Sequence, residues 1–185
     1  MKSQKALLAT ALAAGLGTLA APAFADVYCP PNLGSVTVDD NVIVRGQCLL
    51  DGTRVKGNVL VQSGGALTAR NAHIEGNIQA DGGIYVRVNR TNGGGDIQLE
   101  GVSGEGSRVQ RSSIGGNLQL DNNRIRLVAE YNTIDGDLQA FANTGGVVIR
   151  YNTIDGNLQC KSNNPAPTGG FNQVSGDRED QCSRL

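Results

Sequence analysis

Tryptophan is absent, and three phenylalanines and four tyrosines are the only aromatics in 185 residues. So small an aromatic content excludes a core built on large ring side chains and leaves aliphatic groups to form it. There is one histidine, His73, so a metal centre assembled from several imidazoles is excluded, and no Ser/His or Cys/His nucleophile motif is present. Helical spacing of apolar residues is missing beyond residue 25, and no hydrophobic stretch in that part is long enough to cross a membrane. Charge of one sign is missing too, with 16 Lys+Arg against 17 Asp+Glu. That balance gives no reason to expect a nucleic-acid partner.

The first 25 residues read as an export signal. Lys2 and Lys5 form a basic start, Ala6 to Ala21 are small and apolar, and Ala23-Phe24-Ala25 is a cleavage signal that places the mature start at Asp26. Tyr28 stands where a small residue would precede a lipidated cysteine, so Cys29 is not expected to carry a lipid. Loss of the two leader lysines leaves 14 basic against 17 acidic residues, a balance of −3. The expected location is periplasmic or secreted, where four cysteines oxidise.

What the chain does have is repetition. YNTIDGDLQ at Tyr131–Gln139 returns as YNTIDGNLQ at Tyr151–Gln159. Gly57, Gly76, Gly95, Gly116, Gly136, Gly156 and Gly176 recur at intervals of 19, 19, 21, 20, 20 and 20 residues. A fixed period near twenty marks a solenoid. Within a unit the apolar residues alternate, as in Ile154-Asp155-Gly156-Asn157-Leu158-Gln159-Cys160, and that is a strand period. The expected fold is therefore all-β, a single-stranded parallel β-helix of about seven coils. Its aliphatic columns are Val55, Ile74, Ile114, Ile134, Ile154, Val174; Val59, Ile78, Ile97, Leu118, Leu138, Leu158; and Leu50, Ala69, Val88, Val109, Ala129, Ile149.

The text Asn-x-Ile-x-Gly-Asn/Asp, as in Asn132–Asp137 and Asn152–Asn157, resembles the repeat of right-handed parallel β-helix proteins of the pectate-lyase-like superfold. The resemblance covers about residues 46–177. It implies the fold and the handedness, and little about activity, since that scaffold hosts lyases, glycosidases, tailspikes and adhesins. The tail from Gly156 resembles the ending of small exported bacterial proteins of uncharacterised role. In repeat style alone the chain is similar to the bactofilins, which are cytoplasmic filament formers. The organisation expected is a leader (1–25), an N-terminal cap coil (26–48), the parallel β-helix (49–177) and a C-terminal cap or tail (178–185).

Coil spacing pairs the cysteines. Cys29 and Cys48 are 19 residues apart, one coil, which would set one beneath the other in a single column; Cys182 falls two residues past the copy of Cys160. Pairings across the two groups would span about 25 Å and cannot form. The expected bonds, Cys29–Cys48 and Cys160–Cys182, sit at the two ends, where capping favours a monomer.

Chemistry has few places to live. No interval exceeds 21 residues, so no long loop walls a cleft and the surface is expected to be nearly flat. Whether the chain is an enzyme stays open, with a non-catalytic role favoured and no catalytic residue or required cofactor assigned. Four outward features remain. The column Gln79, Gln98, Gln119, Gln139, Gln159, with Asn58, Asn77, Asp96, Asn117, Asp137, Asn157 two positions before, is either a hydrogen-bonded ladder or a flat face for a sugar polymer. Asp135, Asp137 and Asp155 are either a Ca²⁺ site or charges spaced to limit repulsion. Asn132, Asn152 and Asn172 are read as turn-stabilising. Asn71, Arg90, Arg111, Tyr131, Tyr151, Phe171, with Arg87 and Arg108 three positions earlier, either seal a corner or form a ligand site. In the ligand reading, guanidinium groups of Arg87, Arg90, Arg108 and Arg111 take a carboxylate or sulfate, and the faces of Tyr131 and Tyr151 take sugar rings.

The functional expectation is an exported β-helix that binds or scaffolds at the cell envelope, with an anionic polysaccharide as partner. The alternatives are a small polysaccharide lyase or hydrolase, with Arg90 or Arg111 as base and Ca²⁺ held by the three aspartates, and a purely structural or oligomerising envelope protein.

Overall fold

The computed structural model describes residues 25–185, so the leader reading falls outside the described residues except for Ala25. Every element described is a short strand, with no helix among them; in particular no helix is long and apolar enough to cross a membrane. The strands form three parallel sheets of nine, seven and eight strands, wound as a right-handed β-solenoid of about seven turns. One turn illustrates the whole. Leu138–Phe141 lies in the nine-stranded sheet, Val147–Arg150 in the seven-stranded sheet and Thr153–Ile154 in the eight-stranded one, before Leu158–Lys161 re-enters the first. These are called below the amide sheet, the arginine sheet and the short sheet.

Alternation within each strand sends every second side chain inward. Leu138, Leu158, Ile134, Ile154 and Ile149 are all essentially inaccessible. Register is set by stacking like on like: Ile97 pairs with Ile78 and Leu118, and Leu138 with Leu118 and Leu158. Each such side chain, fully buried, contributes about 1.5–3 kcal/mol. The column in the short sheet has one gap, because Gly93 stands between Ile74 and Ile114.

The turns explain the repeated glycine. In the corner leading back to the amide sheet, each Asn or Asp carbonyl oxygen accepts the backbone N–H of its counterpart one coil on. Asn77 N donates to Asn58 Oδ1 (2.9 Å), Asn117 N to Asp96 Oδ1 (2.7 Å) and Asn157 N to Asp137 Oδ1 (2.6 Å). The preceding residue lies against that oxygen and the backbone below. A Cβ on Gly156 would meet Asp137 Oδ1 and would stand 2.7 Å from the Gly136 carbonyl oxygen, so only glycine fits. The motif Gly-Asn/Asp is therefore one device written across two residues.

The corner from the arginine sheet to the short sheet is made by a left-handed residue on each coil: Asn71, Arg90, Arg111, Tyr131, Tyr151 and Phe171 have φ between 48° and 58°. Bulky residues rarely adopt this conformation, at a cost of about 1–2 kcal/mol each. The next residue on several coils is a buried asparagine that offsets it. Asn152 donates to the Ala129 carbonyl (3.0 Å) and to Asn172 Oδ1 (3.0 Å). A second buried ladder, Asn123, Asn143, Asn163 and finally Gln181, lines the opposite corner.

Strand pairing runs beyond the repeated text at both ends. Val27–Cys29 already pairs with Val42–Val44, and Arg178–Asp180 with Leu158–Lys161. Both expected disulfides are present, with Cα separations of 5.4 Å for Cys29–Cys48 and 5.2 Å for Cys160–Cys182. The first bond does not run along the vertical column that coil spacing predicts. Cys29 stacks on Val44 of the amide sheet and Cys48 on Leu67 of the arginine sheet, so this bond ties two sheets across a corner and joins no vertical column. The opening coil is shorter than the repeat, with Val27 pairing with Val42 at fifteen residues, so counting by the standard period misplaced Cys29.

Candidate functional site

The arginine sheet gathers positive charge. Its outward central column runs Thr68, Arg87, Arg108, Val128, Val148, Thr168, and the column beside it Asn89, Gln110, Glu130, Arg150. Arg87 Nε and Arg108 Nη1 both donate to the carbonyl oxygen of Gly106, at 3.2 and 3.3 Å. The Arg87 guanidinium also lies over the Tyr85 ring, 4.1 Å from its centroid. Among the described residues neither guanidinium has a carboxylate within salt-bridge distance. Two like charges thus converge on one neutral acceptor. Gly106 permits the approach: a Cβ there would stand 2.8 Å from Arg87 Nη2, and its φ of +87° suits glycine.

Next to this pair is a depression of about 460 Å³, bounded by Glu105, Arg108, Gln110, Arg126, Glu130 and Arg150. Glu130 is 7% exposed and fully engaged. It accepts from Gln110 Nε2 and from Arg150 Nε, both at 2.6 Å. That bond from Glu130 raises the Arg150 guanidinium pKa above its ordinary value. Arg150 is therefore neutralised locally, whereas Arg87, Arg108 and Arg126 have no ionic partner among the described residues. The surface is not flat here, contrary to expectation. Glu105, Gly106 and Ser107, within the one 21-residue interval, line one side of the depression.

The corner column forms a continuous aromatic stack, the arrangement of the corner-sealing alternative. Tyr131 and Tyr151 stack at 4.9 Å with ring planes 5° apart, and Tyr151 and Phe171 at 5.1 Å and 6°. Arg111 lies 5.3 Å from the Tyr131 centroid. The stack consumes the ring faces between neighbours, and Arg111 approaches Tyr131 from its free side. Tyr131 and Tyr151, 46% and 40% exposed, present ring edges and hydroxyls to solvent. The ring faces are therefore taken up within the stack. Among the described residues the Arg90 side chain donates only to Asn89 Oδ1 (3.2 Å).

The three aspartates do not come together. Asp135 and Asp155 follow paired Ile134 and Ile154 and lie one coil apart at the outer edge of the short sheet. Asp137 is turned to the backbone ladder, accepting from Asn157 N. No group of three His, Cys, Asp or Glu side chains arranged to hold a metal occurs among the described residues. Arg90 and Arg111 precede the two-residue strands of the short sheet, whereas Asp135 and Asp155 follow them. His73 sits outward between Arg54 and Asn92 of neighbouring coils.

The glutamine column is a ladder in the structure. Gln79 donates to Gln98 (3.2 Å), Gln119 to Gln139 (3.2 Å), Gln139 to Gln159 (2.8 Å) and Gln159 to Glu179 (3.1 Å). Sequence reasoning missed Arg126, Glu130 and Arg150 as part of the basic face, and Asn123, Asn143 and Asn163 as a ladder. The asparagines were legible at the same twenty-residue step. Arg126 and Arg150 were not, because they belong to columns whose other members are not arginine. Comparison with protein-family models, with curated proteins and with solved structures found no match.

Proposed function

We propose that the chain is an exported binding protein of the cell envelope that holds an anionic polysaccharide against its arginine sheet. The observation that carries this is the convergence of Arg87 and Arg108 on the Gly106 carbonyl without a carboxylate partner. Guanidinium groups bind carboxylate and sulfate through paired N–H donors, and fixing two of them in advance lowers the ordering cost of binding. Repulsion between them is relieved when an anion arrives. Arg126 extends the positive surface to the next coil, and Arg90 and Arg111 continue it around the corner. The tyrosines contribute hydroxyl donors and edges at its margin. The leader and the disulfides support a site of action outside the cytoplasm.

Calorimetry with a polyuronate and with a sulfated glycan tests the reading. Binding that weakens with rising salt, and that falls by tenfold or more in the Arg87→Ala/Arg108→Ala double variant, is the expected result. No affinity of the wild type for either polymer, or an unchanged affinity in the double variant, overturns it.

A further inference from the structure

The arginine pair has a second depression on its other side. In the outward central column of the arginine sheet, Leu49, Thr68, Arg87 and Arg108 stand in register on successive coils, about 4.8 Å apart at each step. Arg108 lines the depression already described, and Leu49 and Thr68 line another of about 530 Å³. Pro30 and Pro31 of the opening coil and Tyr85 bound this second one as well. Arg87 lies between the two, so both hollows and the guanidinium pair share one line along the solenoid axis.

The two depressions differ in chemistry. Arginines and glutamates line the first, whereas no residue around the second carries a charge. Its apolar surface comes from the rings of Pro30, Pro31 and Tyr85 and from Leu49. Tyr85 takes no part in the corner stack; its ring carries the Arg87 guanidinium at 4.1 Å. One side chain thus belongs both to this hollow and to the arginine pair. Gln47 adds an exposed amide and Thr68 a half-buried hydroxyl. Ring faces with a few polar groups at their margin suit a pyranose, whose C–H face is apolar and whose rim carries hydroxyls. A carboxylate would lose water there and gain no cationic partner.

We propose that this depression is a subsite for a neutral sugar ring joined directly to the acidic sugar held by Arg87 and Arg108. The inference rests on the anionic-polysaccharide reading above and narrows it. The preferred polymer lies along the solenoid axis and places an uncharged residue next to an acidic one. Continuity carries the assignment: Thr68 of the hollow is the register neighbour of Arg87, and Tyr85 of the hollow is the surface on which Arg87 rests. A ligand anchored on the guanidinium pair therefore has the uncharged hollow as its next contact toward the N-terminal coils.

NMR titration of the exported chain with three probes tests this: glucuronate alone, glucuronate joined to a neutral hexose in each linkage order, and diglucuronate. In one linkage order the mixed disaccharide is expected to bind roughly tenfold tighter than glucuronate, and tighter than diglucuronate. The Gln47 side-chain amide resonances are expected to move with that disaccharide and not with glucuronate. Tyr85→Leu, and separately the Gln47→Ala/Thr68→Val double variant, are each expected to cut the gain to about threefold or less. Glucuronate affinity reads the arginine pair and the ratio of the two affinities reads the subsite, so altered placement of Arg87 in Tyr85→Leu does not mask the result. If either variant fails to fold by far-ultraviolet dichroism, the other decides. Absence of binding by every probe and by the polymers overturns the polysaccharide reading and this one together. Arginine-dependent binding of the polymers overturns the subsite alone if the mixed disaccharide gains nothing over glucuronate, if diglucuronate gains as much, or if the gain survives in a folded variant.

Discussion

Asn152 Oδ1 receives two N–H groups from Asn132 one coil below, the backbone amide and the side-chain amide, each at 3.0 Å. Both asparagines are buried, so neither donor has water as an alternative. Replacing Asn152 with alanine strands those donors and the Ala129 carbonyl, each at about 1–3 kcal/mol. Denaturant unfolding of Asn152→Ala is expected to show a lower midpoint, with a total loss of about 3–5 kcal/mol.

The Gly-Asn/Asp corner gives a contrasting pair. Gly156→Ala forces a methyl group into the Gly136 carbonyl and the Asp137 side chain, neither of which is free to move, and is expected to cost about 1–3 kcal/mol. Gly34→Ala, where a Cβ meets nothing within 4 Å, is expected to change stability by less than about 0.5 kcal/mol. Thermal melts of the two variants side by side check this.

Gly93 interrupts an isoleucine column, and a Cβ there would make only one ordinary contact, 3.7 Å from the Ser113 carbonyl oxygen. Gly93→Ala is therefore expected to stabilise the protein by about 0.4–1 kcal/mol, through a less flexible unfolded chain. A raised denaturation midpoint is the readout.

Asp121 supplies a pH dependence. Burial raises its pKa above the ordinary value, with Glu100 adding to the effect against a lowering bond from the Phe141 backbone, and its Oδ1 is buried without a partner. The folded state holds this proton more tightly than the unfolded chain does. Stability from this group is therefore complete below the unfolded carboxylate pKa of about 3.9 and is lost as pH rises through the higher folded value. Asp121→Asn is expected to melt higher than wild type at neutral pH, with the advantage shrinking to nothing in acid.

The basic face yields a prediction that rests on the proposed function. Glu130→Gln removes the carboxylate that neutralises Arg150 and leaves an amide of similar size. Affinity for an anionic polymer is expected to rise several-fold, with a steeper salt dependence, in the same calorimetric titration that tests Arg87 and Arg108.

Much of the architecture was legible because vertical stacking makes the sequence two-dimensional. Adding twenty to Ile134 gives Ile154, and the two are paired. The method failed where a coil departs from the period, as at Cys29. It also failed where columns mix residue types, as where Gln110, Glu130 and Arg150 follow one another. Orientation was the harder loss. The column Tyr131, Tyr151, Phe171 was read correctly as neighbours, but a list of neighbours does not say that the left-handed backbone at each would set the rings face to face. Arg126 stayed hidden because its value lies in what is absent around it, a carboxylate partner, and that is settled only by side-chain positions.

The uniform step of twenty between Asn132 and Asn152 also makes length a quantity separable from shape. Excising Tyr131 to Arg150 would join Glu130 to Tyr151 with every ladder still in register, giving a shorter rod of the same girth that has lost one ring from its stack. Tandem duplication of the same segment would lengthen the rod by one rung. A lineage carrying this chain has a simple route, by recombination between near-identical stretches of its own gene, to change how far the molecule reaches without redesigning how it folds.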